Sequence, residues 1–343
     1  MTERSGIICA GNWIVDMVHA IGYWPRESEL VRIGEQSFDI GGGAANVVAA
    51  LTKLDTGLPL WPMGAVGEDE HGRYVLRRCK EMGLPSRHMQ VKGDTATAHT
   101  HVMSVPGQTR TFFYQGGAND ALTVDDFPEE IFTKNTARIF YLGYPMLLAG
   151  LDEITPDGTT GAARVLYRAK TAGMITCVDL VSTDDPGFAD SVGHSLPYID
   201  YLVLNEIEAA HATRRVPVVE GEIPSDEALT TMARELIEAG VNKAVVLHCP
   251  DKVLWTDKEG DQKWAPTKRL AADEIASPLG AGDAFCAGLL YAIHEYWPLE
   301  NTLALANATA RASLKGVTAC EAIPNLKELE CDVIRMEEIP ISP

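Results

Sequence analysis

Short, continuously apolar runs alternate along the chain with longer stretches whose apolar positions recur at helical spacing. GIICAG (Gly6–Gly11) reads as a first buried strand. AANVVAALTKL (Ala44–Leu54) places Val47, Val48, Leu51 and Leu54 on one helical face. LPLWPMGAVG predicts a further strand, irregular or at a sheet edge because of the proline inside it. DEHGRYVLRRCKEMGL predicts an amphipathic helix closed by Gly83. ATAHTHVMSV and TRTFFYQ, separated by PGQ, predict a hairpin. From Ala121 onward strands (ARIFYLG, MITCVDL, IDYLVLN, KAVVLHC) alternate with helices (GAARVLYRAKTAG, SDEALTTMARELIEAG, AGDAFCAGLLYAIHEY).

Continuous apolar strands separated by helices predict an α/β fold with a parallel sheet covered on both faces. Two β segments, roughly Asn12–Asp39 and Thr97–Gly117, break the rhythm and read as a small separate sheet over one edge of the main domain. The expected division is a core of residues 1–11, 40–96 and 118–343, and a lid of residues 12–39 and 97–117. The acidic, proline-bearing tail after Asn325 reads as peripheral.

Of the 343 residues 46% are hydrophobic, enough for a sizeable core, and the formal net charge is -19. That charge argues against nucleic acid or an anionic membrane as a partner, because both reward clustered Lys and Arg. A small anionic ligand would need local devices such as backbone N–H groups, a helix N-terminus or a metal. The seven cysteines show no C-x-x-C spacing, so neither a disulfide framework nor a zinc site is expected. The first residues lack a basic region followed by a long apolar one, and no run of about 18 apolar residues could span a membrane. A reducing cytoplasm is the expected compartment.

ASPLGAGDAF (Ala276–Phe285) carries the first candidate chemistry. A strand is expected to end near Ile275, and a helix to start at Gly282 or Asp283 and run to about Tyr296. The first N–H groups of a helix lack internal partners and carry the positive end of its dipole, so a phosphate could dock there. Gly280, Ala281 and Gly282 let an oxyanion approach the backbone. Asp283 would repel that anion, so it makes better sense as a base taking a proton from an attacking hydroxyl. Alone, the stretch reads first as an ordinary helix start with a favourably placed aspartate.

DIGGGAANVVAAL (Asp39–Leu51) is a second glycine cluster at a strand-to-helix junction. Gly41, Gly42 and Gly43 would let the backbone approach a ligand. Asn46, with one acceptor and two donors, suits fixing hydroxyls. The spacing is not G-x-G-x-x-G, which argues against a nicotinamide dinucleotide. No G-x-S-x-G or H-E-x-x-H supports a hydrolase.

GGGAAN early and GAGDAF late resemble the two signatures of the ribokinase-like (PfkB) carbohydrate kinase family. GAVGEDEHG resembles its G-x-D-x-x-G segment through Gly67, Asp69 and Gly72. GGAND (Gly116–Asp120) resembles the close of its lid hairpin, and LNEIEA (Leu204–Ala209) its N-x-x-E. The resemblance spans about Ile7 to Ile323. It implies a doubly wound α/β/α sandwich with a mostly parallel central sheet and a small β-sheet lid. It also implies transfer of the ATP γ-phosphoryl group to a hydroxyl. In it Asp283 takes the place of the base, and the Gly280–Asp283 backbone that of the anion hole. Asp16, Gly42, Gly43 and Asn46 take the places of sugar-binding residues, with Asn12 a further candidate. Asn205 and Glu208 fall where the family orders magnesium and phosphates through water, and Asn307 where it packs beside adenine. Asn205 with Glu208 is also close to a capping box, and a capped helix end can hold a hydrated cation. A homodimer through the lid follows by analogy.

The chain departs from the family's pattern in places. Ser277, Pro278 and Leu279 replace an acidic start to the late signature, which argues against a monovalent-cation site. VVLHCPDKVLW carries His248, Cys249 and Pro250 in place of a T-x-G-like turn. VDLVSTDD lacks D-x-N-x-R, which lowers fructose and keto-deoxy sugar acids as substrates, though Asp179 is near the expected place. His99 and His101 share a strand face and read as lid or solvated positions in preference to a metal site. Phe112 and Tyr114 should face opposite to Phe113. His19 and His71 read as structural or exposed. The leading expectation is an ATP- and Mg²⁺-dependent sugar kinase. The alternatives are an adenosine-like nucleoside kinase of the same family, or a sugar or nucleotide sensor that kept the fold without turnover.

Overall fold

The computed structural model describes residues 4–106, 110–215 and 223–329. In chain order its strands are β1 (Ile7–Gly11), β2 (Ile14–Ile21), β3 (Ile33–Gly41), β4 (Leu60–Gly67), β5 (His88–Lys92), β6 (His99–Ser104), β7 (Thr111–Gln115), β8 (Ile139–Gly143), β9 (Ile175–Asp179), β10 (Tyr201–Asn205), β11 (Ala244–His248), β12 (Lys252–Asp257) and β13 (Gln262–Pro266). The helices are α1 (Gly43–Lys53), α2 (Glu70–Glu81), α3 (Glu129–Lys134), α4 (Ala149–Asp152), α5 (Gly161–Thr171), α6 (Phe188–Ser195), α7 (Glu206–Ala212), α8 (Asp226–Glu238), α9 (Ala281–His294) and α10 (Leu299–Ser313).

Nine strands form one sheet in the order β13-β12-β11-β10-β9-β8-β1-β4-β5. Neighbours from β5 to β11 are parallel, and β12 and β13 continue the sheet antiparallel. The central strands are buried along their length, as continuous apolar runs require when helices cover both faces. One core sets Val47, Leu51, Phe285, Leu289 and Leu305 against the sheet. The other sets Val165, Leu166, Val192, Leu229 and Met232 against its opposite face. The architecture is the expected α/β/α sandwich. A smaller sheet, β3-β2-β6-β7, lies beside it, with β2 and β6 parallel and both outer pairs antiparallel.

Several elements differ from expectation. β4 is second from the edge, between β1 and β5. Its proline fits because β5 pairs only with Met63–Gly67, so at Pro62 the strand has one neighbour, Cys9. No strand ends near Ile275: β13 stops at Pro266, and a 3-10 turn over Ala272–Glu274 leads toward the glycine turn. α9 starts at Ala281 and stops at His294, with Tyr296 already left-handed at φ 56°. The start of the tail is not peripheral, because Leu326 and Leu329 pack on the first core and Leu326 N donates to Leu54 O at 2.9 Å. Of the expected PGQ turn, Gly107 and Gln108 lie outside the described residues, as does Cys331. The other six cysteines are free thiols. No helix among the described residues is long and apolar enough to cross a membrane.

Candidate active site

The C-terminal ends of β1, β8, β9, β10 and β11 converge above the sheet. Gly11 registers with Gly143, Gly143 with Asp179, and Asn205 with His248. In open α/β sheets ligands bind in the crevice beyond these strand ends. α9 delivers Asp283 there from its first turn, and the carboxylate is 1% exposed. Its burial follows from the helix itself, which is wedged against α1 and α10 and buries nearly every residue from Asp283 to His294.

Asp283 Oδ2 accepts two hydrogen bonds, from Asn46 Nδ2 at 2.8 Å and from the Tyr144 hydroxyl at 3.0 Å. Its Oδ1 is buried and has no partner among the described residues. Burial pushes the carboxyl up to about 7. The Asn46 and Tyr144 bonds pull it down, and the charge of Asp16 pushes it up. A carboxylate with one occupied and one open oxygen, half-ionised near neutrality, has the pKa and geometry of a general base.

Asp16 and Asn12 approach from the other wall. Asp16 pairs across the small sheet with Thr100, and Thr100 with Tyr114, so the three side chains share a face. Burial raises the Asp16 carboxyl to about 6, opposed by a hydrogen bond from Thr100. Asn12 Nδ2 donates to the Tyr114 hydroxyl at 3.1 Å and to Leu147 O at 3.2 Å, while its buried Oδ1 has no partner among the described residues.

The three early glycines make room for the site's own side chains, whatever else they admit. A Cβ on Gly41 would stand 2.0 Å from Asp16 Oδ2, one on Gly42 2.4 Å from Asn12 Oδ1, and one on Gly43 2.8 Å from the Tyr144 ring. Gly42 also holds φ 91° at the start of α1, a region only glycine enters without strain.

The late turn divides in the same way. Gly280 is left-handed at φ 74°, and a Cβ there would stand 2.3 Å from Ala319 Cβ, so the fold itself requires this glycine. A Cβ on Gly282 would meet only the His248 ring, at 3.6 and 3.8 Å, an ordinary contact. No side chain caps α9 among the described residues, and Ala281 N makes only a long bond to Pro278 O at 3.4 Å, which leaves the next amides of the turn available to an anion.

Beside this turn, Asn205 caps α7, its Oδ1 accepting from Ile207 N at 2.8 Å and Glu208 N at 2.9 Å. Glu208 completes the capping box by accepting from Asn205 N at 2.9 Å. Its other oxygen accepts from Asn205 Nδ2 at 2.8 Å and from the Ser182 hydroxyl at 3.0 Å. Burial raises Glu208 to about 7, and burial with the charges of Asp283 and Glu208 raises Asp179.

The pfkB family carbohydrate kinase model matches residues 7–326. The chain belongs to this family. Adenosine kinase of Saccharomyces cerevisiae is 24% identical over 292 residues, 84% of this chain and 82% of that protein. The structure of Arabidopsis thaliana ribokinase complexed with ribose and ATP covers 98% of this chain and 100% of its own at a TM-score of 0.78 and 22% identity. A putative ribokinase II from E. coli in complex with ATP and Mg²⁺ gives 0.76 at 18% identity, with 96% and 99% covered.

The donor set of this pfkB carbohydrate kinase can be tested against magnesium. Asn205 Oδ1 and both Glu208 oxygens are engaged within the cap, and no group of three or more acidic, Cys or His residues among the described residues is arranged to hold a metal directly. The charge of Asp283 nevertheless raises both Asp179 and Glu208, and that of Glu208 raises Asp179 further, so a cation reaching these buried carboxylates through water would relieve their repulsion. The set fits a hydrated magnesium and not a stripped one.

His248 packs against Phe285, ring centroids 5.2 Å apart, and burial lowers it to about 4, so it is neutral at pH 7. Asn307 lies on α10 with its Oδ1 accepting from the Thr267 hydroxyl at 3.2 Å.

Other expected motif residues are structural. Asp69 caps α2 through Gly72 N and also accepts from Thr97 N and Oγ1 at 2.8 and 2.6 Å, tying the entry of β6 to the core. Asn119 of GGAND exchanges bonds with the backbone of Trp13. His19 is buried, stacked on His101 and bonded to it at 2.9 Å, and His99 and His71 extend the row edge-on. Phe113 stacks on Trp24. Tyr144 is the site residue the sequence reading missed. Its motif-free setting, GYPM, gives no signal in the pattern of residue types.

Proposed function

We propose that this chain transfers the γ-phosphoryl group of ATP to a hydroxyl of a sugar, with Asp283 as general base. The observation that carries the reading is the buried Asp283 carboxylate at the first turn of α9, with Oδ2 occupied and Oδ1 open. Oδ1 takes the proton of the acceptor hydroxyl, that oxygen bonds to the γ-phosphorus, and the bond to the ADP oxygen breaks. The amides of the Gly280–Asp283 turn face the charge that develops on the transferring group. Magnesium, held through water near Asn205 and Glu208, neutralises phosphate charge when bound. Asp16 and the open oxygen of Asn12 supply acceptors for the other sugar hydroxyls, with Gly42 and Gly43 shaping the wall. His248 and Asn307 border the nucleotide. Residues 12–39 and 97–117 serve as a lid that excludes water from the transfer.

A second reading, a nucleoside acceptor, is favoured by Phe112. By strand alternation it shares the face of Tyr114 and Asp16, and at 53% exposure its ring is free to stack on a base. The test is a panel of pentoses, hexoses, sugar acids and nucleosides incubated with γ-labelled ATP and Mg²⁺, scored for labelled product and for thermal stabilisation. Label on a sugar supports the leading reading and label on a nucleoside the second. Stabilisation without product from any acceptor would overturn both in favour of a binding role.

A further inference from the structure

Both hydrogen bonds on Asp283 reach the same oxygen. A carboxylate offers about two lone-pair sites on each oxygen, so two donors saturate Oδ2 and leave Oδ1 to take the proton. The two donors are themselves linked. Tyr144 follows Gly143 at the end of β8, and its N–H donates to Asp179 O at 2.9 Å. Its ring is seated against Gly43, which opens the helix that carries Asn46. Tyr144 holds a left-handed backbone at φ 60°, a conformation that non-glycine residues keep only where their surroundings impose it and that clusters at functional sites.

The charged surroundings give these donors their weight. Among the described residues the titratable groups that interact with Asp283 are Asp16, Asp179, Glu208, Tyr141, Cys286 and Cys320, together with Tyr144 itself. None is a cation. Among the described residues the Asn46 and Tyr144 hydrogen bonds are therefore what favours the ionised carboxylate.

We propose that Tyr144 is a positioning residue: with Asn46 it clamps Asp283 Oδ2 and turns Oδ1 toward the acceptor hydroxyl. Asn46 thereby serves the base directly, besides any contact to substrate. The proposal rests on Asp283 being the base.

The test is the pH dependence of kcat and of the acceptor KM in Tyr144→Phe, run on whichever panel acceptor gives product. Loss of one hydrogen bond to a charged group should move the acid limb of kcat up by about one pH unit and lower kcat about fivefold at pH 7, with the acceptor KM within about twofold of wild type. Should Tyr144→Phe fold poorly, 3-fluorotyrosine at position 144 keeps the shape and strengthens the donor, and the limb should move down. A lowered acceptor KM with an unmoved limb would overturn the proposal and make Tyr144 a plug that substrate displaces. An unmoved limb in both variants, with Asp283→Asn inactive, refutes the clamp but spares the base. Full activity in Asp283→Asn refutes the base itself.

Discussion

Gly280 and Gly282 look interchangeable in the sequence, yet their surroundings predict opposite outcomes when each is replaced by alanine. At Gly280 the left-handed backbone costs a non-glycine residue about 1–2 kcal/mol, and the forced overlap with Ala319 adds about 1–3 kcal/mol. Unfolding entropy of about 2.1 cal/mol/K per residue over 343 residues converts each kcal/mol into about 1.4 °C. Gly280→Ala should therefore lower the Tm by roughly 3–7 °C. Gly282 lies in the first turn of α9 with space for a methyl against His248, and alanine is the better helix former by about 0.5–1 kcal/mol. Gly282→Ala should keep or slightly raise the Tm. If this glycine clears the approach of a phosphoryl group, the same variant should lose about 100-fold in kcat/KM for ATP, the scale of one lost oxyanion donor. Differential scanning fluorimetry and steady-state kinetics read both quantities. Wild-type kinetics in Gly282→Ala would refute the anion-hole assignment, and an unchanged Tm in Gly280→Ala would refute the packing argument.

If Asp283 is the base, the acid limb of kcat/KM should fall near pH 7, leaving about one-tenth of the plateau at pH 6, because a base must be ionised to act. Stability runs the other way. Burial raises the Asp283 carboxyl from 3.8 to about 7, so its contribution to folding is fully present below about pH 4 and lost as pH rises through about 7. Asp283→Asn should thus raise the Tm at pH 8 by more than at pH 5, and an equal effect at both would contradict the burial argument. Asn205→Ala should cost about 1 kcal/mol of stability through the lost cap and raise the Mg²⁺ concentration needed for half-maximal rate. A stability loss alone, with unchanged Mg²⁺ dependence, would reduce Asn205 to its cap.

The layers of the fold were legible because their signals are local. Ile7–Gly11 and Ile139–Gly143 are continuous apolar runs, buried on both faces as such runs must be. The strand with Pro62 was misplaced because the length of its neighbour β5, not the proline, decides whether the missing N–H matters. The approach to the glycine turn was misread because Ala272–Ile275 has no periodicity to betray a 3-10 turn. Within the site, Asp283 and Asn46 stand out as residue types beside glycines. Their hydrogen bond spans 237 positions, and no local pattern could announce it. Tyr144 shows the limit most clearly. What marks it is its backbone φ and a contact across the sheet, and neither is written in residue spacing. The glycines were legible as glycines, but what they make room for (Asp16, Asn12 and Tyr144) became visible only when the neighbours were in place.

The central claim is that Asp283 removes the proton from the acceptor hydroxyl. It is tested most directly by mixing Asp283→Asn with γ-labelled ATP, Mg²⁺ and the acceptor identified in the panel, and following single-turnover transfer alongside calorimetric binding of that acceptor. Loss of the base should lower the rate by about 10²–10⁴-fold with acceptor affinity within about threefold of wild type. Transfer at the wild-type rate by a correctly folded Asp283→Asn would contradict it.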